Sequence, residues 1–188
     1  YDENISLMSA DYKKSAVFYD LNGIEFTGDL DLMKAVIKLI KPNHGFELFL
    51  RGDIPPNTGV GGSGAVGVAL VGLFNHLKER KLNKYEIAET AYKAEIEELK
   101  HITGRQDAYA ASFGGFNFIE FKGNDFVRVN PVRIKEDYLL ELEKHLILAY
   151  IGTRGDSGKV QKLLVEQKEG YREEEKIRVL EAKKELVH

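Results

Sequence analysis

The feature that most narrows the fold is the run Gly59-Val60-Gly61-Gly62-Ser63-Gly64, set behind Pro55-Pro56 and ahead of a long uncharged stretch. Upstream of it, Phe46, Leu48 and Leu50 alternate with Glu47, Phe49 and Arg51, the period of a strand. Downstream, Val66, Leu70, Leu73 and Leu77 predict one face of a helix. A glycine cluster between a strand and a helix leaves backbone N–H groups free to converge on an anion, and the helix dipole adds positive potential there. Phosphate is the natural ligand. The loop lacks the Lys-Ser/Thr of a Walker sequence, and glycine turns also occur with no ligand, so both readings stand at this point.

The rest of the chain reads as mixed helices and strands. Residues 16–21 and 24–27, separated by Asn22-Gly23, predict a hairpin with a two-residue turn. A helix with Leu32, Val36 and Leu39 on one face follows and stops at 42–45. Asn83 and Glu86 make a capping box for a helix over about 84–100. A short helix from about Arg105 ends at Gly114-Gly115, and a strand over 116–121 follows. A helix from about Lys135, a strand over 146–151 and helical segments to the end complete an α+β order. The stretch from Glu166 is dense in charge and is expected as a solvated helix.

A chain of 188 residues, 43% hydrophobic and 30% charged, can bury a worthwhile core. The uncharged stretch 54–75 is too rich in glycine and proline for a membrane span and is expected as a loop and a buried helix. A net charge of −3 gives no basic footprint for nucleic acid. The absence of cysteine removes disulfides and thiol chemistry and makes the cytoplasm the expected location. The five histidines are scattered and show no HExxH spacing. The chain opens on Tyr1 without a signal-peptide pattern.

Two acids stand out. Ala88, Ala91, Glu95 and Leu99 fall on one helical stripe, so Glu95 points where the apolar face points. An ionised carboxylate there costs several kcal/mol unless a cation or strong donors compensate; the alternative is a Glu at the stripe's edge reaching water. Asp107, in Gly104-Arg105-Gln106-Asp107, falls where the next helix begins, and the helix amides and Arg105 favour its ionised form. Ordinary first-turn capping is the alternative. Together, a glycine loop, an inward Glu and an acid at a helix start suggest a nucleotide, Mg²⁺ and a proton acceptor.

The run Pro55-Pro56-Asn57-Thr58-Gly59-Val60-Gly61-Gly62-Ser63-Gly64-Ala65 resembles the proline-led loop of GHMP kinases. Ala91-Tyr92 to Glu95, then Gly104-Arg105-Gln106-Asp107 through Gly114-Gly115-Phe116-Asn117-Phe118, are similar to the sugar-kinase branch and within it to the heptose 7-phosphate kinases. Tyr150-Ile151-Gly152 and Asp156-Ser157-Gly158-Lys159 resemble a later segment of that branch. The resemblance implies a GHMP kinase N-terminal domain of the ribosomal protein S5 domain 2-like kind over 1–145, its first strands missing. It implies the start of a truncated C-terminal domain over 146–188.

By the same resemblance, Pro56, Gly59, Val60, Gly61, Gly62, Ser63 and Gly64 would bind ATP, and Ser63 and Glu95 would hold Mg²⁺. Asp107 would be the catalytic acid residue, with Arg105 and Gln106 near the sugar. The implied reaction moves a phosphoryl group from ATP to the anomeric hydroxyl of a sugar phosphate. The partners would be ATP and the sugar phosphate, with neither nucleic acid nor membrane. A kinase-like domain that binds nucleotide without turnover, or a fucose or hexose kinase, is the alternative. The sequence departs from the family pattern at Gly64, where serine is common, at Ala108, where the usual pair is Asp-Gln, and at Thr153-Arg154-Gly155. The family's N-terminal substrate motif and glycine-rich third motif have no counterpart in the sequence.

Overall fold

A three-stranded sheet carries the first half of the chain, in the order β2-β1-β3. The computed structural model describes residues 4–123, 126–150 and 152, all in the first of two units, Tyr1–Arg154. Strand β1 (Ile5–Ser9) pairs antiparallel with β2 (Lys14–Phe18) and parallel with β3 (Phe46–Leu50), Leu7 lying opposite Leu48. A parallel pair needs a crossover, and α1 (Asp31–Ile40) supplies it. Ile5, Leu7 and Leu48 face inward and are buried, while Met8 and Phe49, next along their strands, face out. Met33, Val36 and Ile37 of α1 join the same core. Lys41 closes α1 in the left-handed region, φ 53°, just ahead of Pro42.

The hairpin expected from Asn22-Gly23 does not form. The turn is real, but the Asp20 carboxylate organises it by accepting the N–H groups of Asn22 and Gly23 at 2.5 and 2.9 Å. Residues 24–27 are not a strand, and Ile24 is buried in the core instead. The partner of β2 is β1, reached through a turn at 10–13 with Lys13 at φ 52°. Asp11 in that turn accepts the Gly52 N–H at 2.8 Å and ties it to the end of β3.

Helix α2 (Gly62–Leu77) buries Gly64, Gly67, Leu70, Val71 and Phe74. The predicted stripe is therefore right at Leu70 and wrong at Leu73 and Leu77, which are 50% and 62% exposed. α2 is apolar around most of its circumference, and periodicity cannot choose a face in such a segment. Its small residues choose it: a Cβ on Gly67 would lie 3.4 Å from Ala91 Cβ, so α2 and α3 (Lys84–Lys93) approach closely.

The capping box of α3 forms as predicted. The Asn83 side chain accepts the Glu86 N–H at 3.1 Å and Glu86 Oε2 accepts the Asn83 N–H at 2.8 Å. Asn83→Ala is expected to lower stability by about 1 kcal/mol, read as a lower urea midpoint at constant m-value. An unmoved midpoint would show that the cap contributes nothing here.

α3 runs on into a π-turn, Ala94–Glu98, in which Leu99 N–H reaches Ala94 O at 3.3 Å. α4 (Gln106–Phe113) ends at Gly114, φ 65°, as the Gly114-Gly115 pair predicts. β4 (Asn117–Lys122) pairs antiparallel with β5 (Phe126–Pro131), a strand without a counterpart in the sequence reading. α5 (Glu136–His145) follows. The strand expected over 146–151 is absent from 146–150, where Leu146, Ile147 and Leu148 are exposed and no described strand offers a ladder of hydrogen bonds. The expected helices beyond it lie outside the described residues. Helices and strands segregate as the α+β expectation has it. Among the described residues no helix is long and apolar enough to cross a membrane.

Candidate active site

The N-terminus of α2 is an open anion receptor. Its first intrahelical bond in this turn is Ala65 N–H to Gly61 O at 3.0 Å, so the amides of Gly62, Ser63 and Gly64 precede the ladder. No side chain caps this end and its first turn holds no acid. Gly61 takes the left-handed region at φ 76°, a turn that a residue with a Cβ makes only under strain. Gly59, at φ 81°, does the same upstream. Thr58 Oγ1 donates to Pro55 O at 3.0 Å and closes the proline-led part of the loop. Pro56 is half-buried there, while Gly59 and Val60 are exposed.

Two acids from distant parts of the chain meet this end. Asp107, exposed in the first turn of α4, lies so near that a Cβ on Gly61 would sit 3.3 Å from its carboxyl carbon. A Cβ on Gly64 would sit 2.9 Å from Asp107's backbone carbonyl carbon. Glu95, in the π-turn, is 8% exposed. Burial pushes its carboxyl above the ordinary carboxylate value; His101 and the Ser63 hydroxyl pull the other way, and the Asp107 charge adds to the rise. The inward Glu95 predicted from the stripe is thus observed, with Ala88 and Ala91 buried beside it.

No salt bridge among the described residues includes Glu95. A buried carboxylate outside every described salt bridge, beside a hydroxyl, fits a Mg²⁺ ion that takes one or two protein ligands and keeps waters and phosphate oxygens for the rest. Among the described residues no group of three or more His, Cys, Asp or Glu forms an all-protein cage.

The rise at Glu95 has a consequence for stability. The folded state holds this proton more tightly than the unfolded chain, so stability is present below 4.5 and lost as pH rises through the folded value. Glu95→Gln in EDTA is expected to raise Tm at pH 7 and to leave it unchanged at pH 4. An equal Tm at pH 7 would mean that Glu95 carries no burial cost.

Arg105 and Gln106 do not turn toward Asp107 in the same way. Arg105 Nε donates to Glu89 Oε1 at 2.8 Å and its guanidinium lies 4.4 Å from the Tyr92 ring centre. Gln106 is exposed and makes no side-chain hydrogen bond among the described residues. Glu89 is a residue that sequence reasoning missed. It is an ordinary acid on a half-buried face, and only the fold brings Arg105 to it.

The family profile described as "GHMP kinases N terminal domain" matches residues 31–115, the span that holds α1, the glycine loop, Glu95 and Asp107. Residues 31–115 are a GHMP kinase N-terminal domain. A D-glycero-alpha-D-manno-heptose 7-phosphate kinase from Campylobacter jejuni is 41% identical over 128 residues, 65% of this chain and 38% of that protein. The solved structure of a D-glycero-D-manno-heptose 1-phosphate kinase from Bacteroides thetaiotaomicron superposes with a TM-score of 0.69 at 32% identity. The match covers 74% of this chain and 47% of that one. The Lactococcus lactis galactokinase, at 22% identity and a TM-score of 0.60 over 72% of this chain and 38% of that one, shares the fold. The chain thus spans less than half the length of these relatives.

The two elements of this GHMP domain that converge on the loop, α4 and the π-turn, come from outside the strand-loop-helix unit. The loop alone carries a weak signal; taken with the inward Glu95 and the helix-start Asp107 it suggests a shared site, and the resemblance makes that suggestion specific.

Proposed function

We propose that the protein is an ATP-dependent sugar kinase that phosphorylates the anomeric hydroxyl of a sugar phosphate, with D-glycero-D-manno-heptose 7-phosphate as its substrate. The observation that carries this reading is the convergence of the unpaired Gly62, Ser63 and Gly64 amides, buried Glu95 and exposed Asp107 on one end of α2. The identity to the Campylobacter heptose 7-phosphate kinase supports this choice of substrate. On this reading residues 1–145 form the ATP-binding domain and 146–188 open a C-terminal domain, in a cytoplasmic protein.

In this mechanism the amides of 62–64 cradle the ATP phosphates, with Pro56, Gly59, Val60 and Gly61 shaping the loop around them. Ser63 and Glu95 would hold Mg²⁺, which when bound neutralises charge on the β- and γ-phosphoryl oxygens. The sugar hydroxyl oxygen attacks the γ-phosphorus in line, the bond from that phosphorus to the β,γ-bridging oxygen breaks, and ADP leaves. Asp107 accepts the hydroxyl proton. Exposed Gln106, next to Asp107, is the residue left free to flank the acceptor, while Arg105 is held by Glu89 and Tyr92.

The test is a coupled ADP assay on the natural full-length protein over heptose 7-phosphate, galactose, fucose and mevalonate, each with and without Mg²⁺. ADP release that needs both heptose 7-phosphate and Mg²⁺ is expected. Nucleotide binding without release on any acceptor would replace this reading with a non-catalytic nucleotide-binding domain.

A further inference from the structure

The proposed reaction gives no task to Glu89, yet Glu89 makes two of the shortest side-chain bonds near the site. One carboxylate oxygen, Oε1, accepts both Arg105 Nε–H at 2.8 Å and Tyr109 O–H at 2.7 Å. Arg105 precedes the first turn of α4 and Tyr109 lies one turn on, so the two grip that turn on either side of Asp107. The guanidinium is also packed on Tyr92 of α3, 4.4 Å from its ring centre. On the opposite side the turn is pressed against α2, where a Cβ on Gly64 would come within 3.0 Å of Ala108 N.

We propose that Glu89 is a positioning residue that holds the first turn of α4 at the distance from the glycine loop at which Asp107 can take a proton. Its catalytic consequence rests on the kinase reading above; its structural part does not. The bond to Arg105 joins opposite charges, which makes it stronger than a neutral pair. Burial and the Glu89 bond push the Tyr109 hydroxyl well above the ordinary tyrosine range, and Tyr109 therefore stays a donor at neutral pH. A group misplaced by about 1 Å loses roughly 10²-fold in rate, so a clamp of this kind acts on turnover rather than on nucleotide affinity.

Glu89→Ala in the full-length protein should lower kcat by about 10–100-fold and leave the KM for ATP within about 2-fold. Glu89→Gln keeps an acceptor oxygen in place and should lose less than about 5-fold. Tyr109→Phe, which removes one of the two donors and keeps the ring, should fall between them. Amide hydrogen exchange at Tyr109, whose N–H bonds Arg105 O at 3.1 Å, should quicken in Glu89→Ala and stay slow in Glu89→Gln. Unchanged exchange at Tyr109 in Glu89→Ala would overturn the clamp whatever the turnover does. Faster exchange with unchanged kcat would overturn the positioning of Asp107. If the wild-type protein transfers phosphate to no sugar, the kinase reading falls, and the exchange measurement still decides whether Glu89 holds this turn.

Discussion

Asp107→Asn is expected to cut turnover by about 10²–10⁴-fold in the full-length protein, the range typical of a positioned proton acceptor. Asparagine keeps the shape of the side chain, so the contacts that Asp107 makes against Gly61 and Gly64 survive. Removal of the carboxylate also relieves one of the causes that raise Glu95, which favours ionised Glu95. Affinity for Mg·ATP should accordingly stay within a few-fold or improve, and the loss should fall on kcat alone. Near-normal kcat in Asp107→Asn would remove the aspartate from the chemistry and leave positioning by the loop and Glu95 as the whole of catalysis.

Gly64→Ala is expected to be the most damaging change in the loop. In an open helix alanine would gain about 1 kcal/mol over glycine. Here the new Cβ would lie 2.7 Å from Asp107 Cβ, 2.9 Å from its carbonyl carbon and 3.0 Å from Ala108 N. The last two are backbone atoms, which cannot swing aside as a side-chain end can. Overpacking of this kind costs about 1–3 kcal/mol, and it pushes the Asp107 turn away from the loop. Gly62→Ala is the control for stability, since a Cβ there meets nothing within 4 Å. Denaturation should show Gly64→Ala less stable than wild type and Gly62→Ala no less stable; equal stability of the two would contradict the close approach of α4 to α2.

How much of this was legible depends on how local each signal is. The alternation of Phe46, Leu48 and Leu50 and the reciprocal Asn83–Glu86 cap are written within a few residues, and both elements form as predicted. Glu95 could be read from its place on the Ala88–Ala91 stripe, although the π-turn that carries it could not. That turn depends on where the backbone goes next, for His101 N–H bonds Glu95 O at 3.0 Å. β1 was missed, and β2, expected over 16–21, was given the wrong partner, because the Asn22-Gly23 turn competes as a hairpin signal and is instead satisfied by Asp20. β5 has the right alternation, Val127 and Val129 against Arg128 and Asn130, but over only four residues before Pro131, and only Val129 is buried. The Glu89 clamp has no local signal at all, since it joins α3 to Arg105 and Tyr109 across the fold.

The central claim is that this constellation transfers a phosphoryl group to a sugar phosphate, and ³¹P NMR of the full-length protein with Mg·ATP and D-glycero-D-manno-heptose 7-phosphate tests it most directly. The account predicts a new anomeric phosphate signal growing in step with ADP, with the 7-phosphate signal retained. ADP accompanied by inorganic phosphate alone, or no ADP at all, would contradict it.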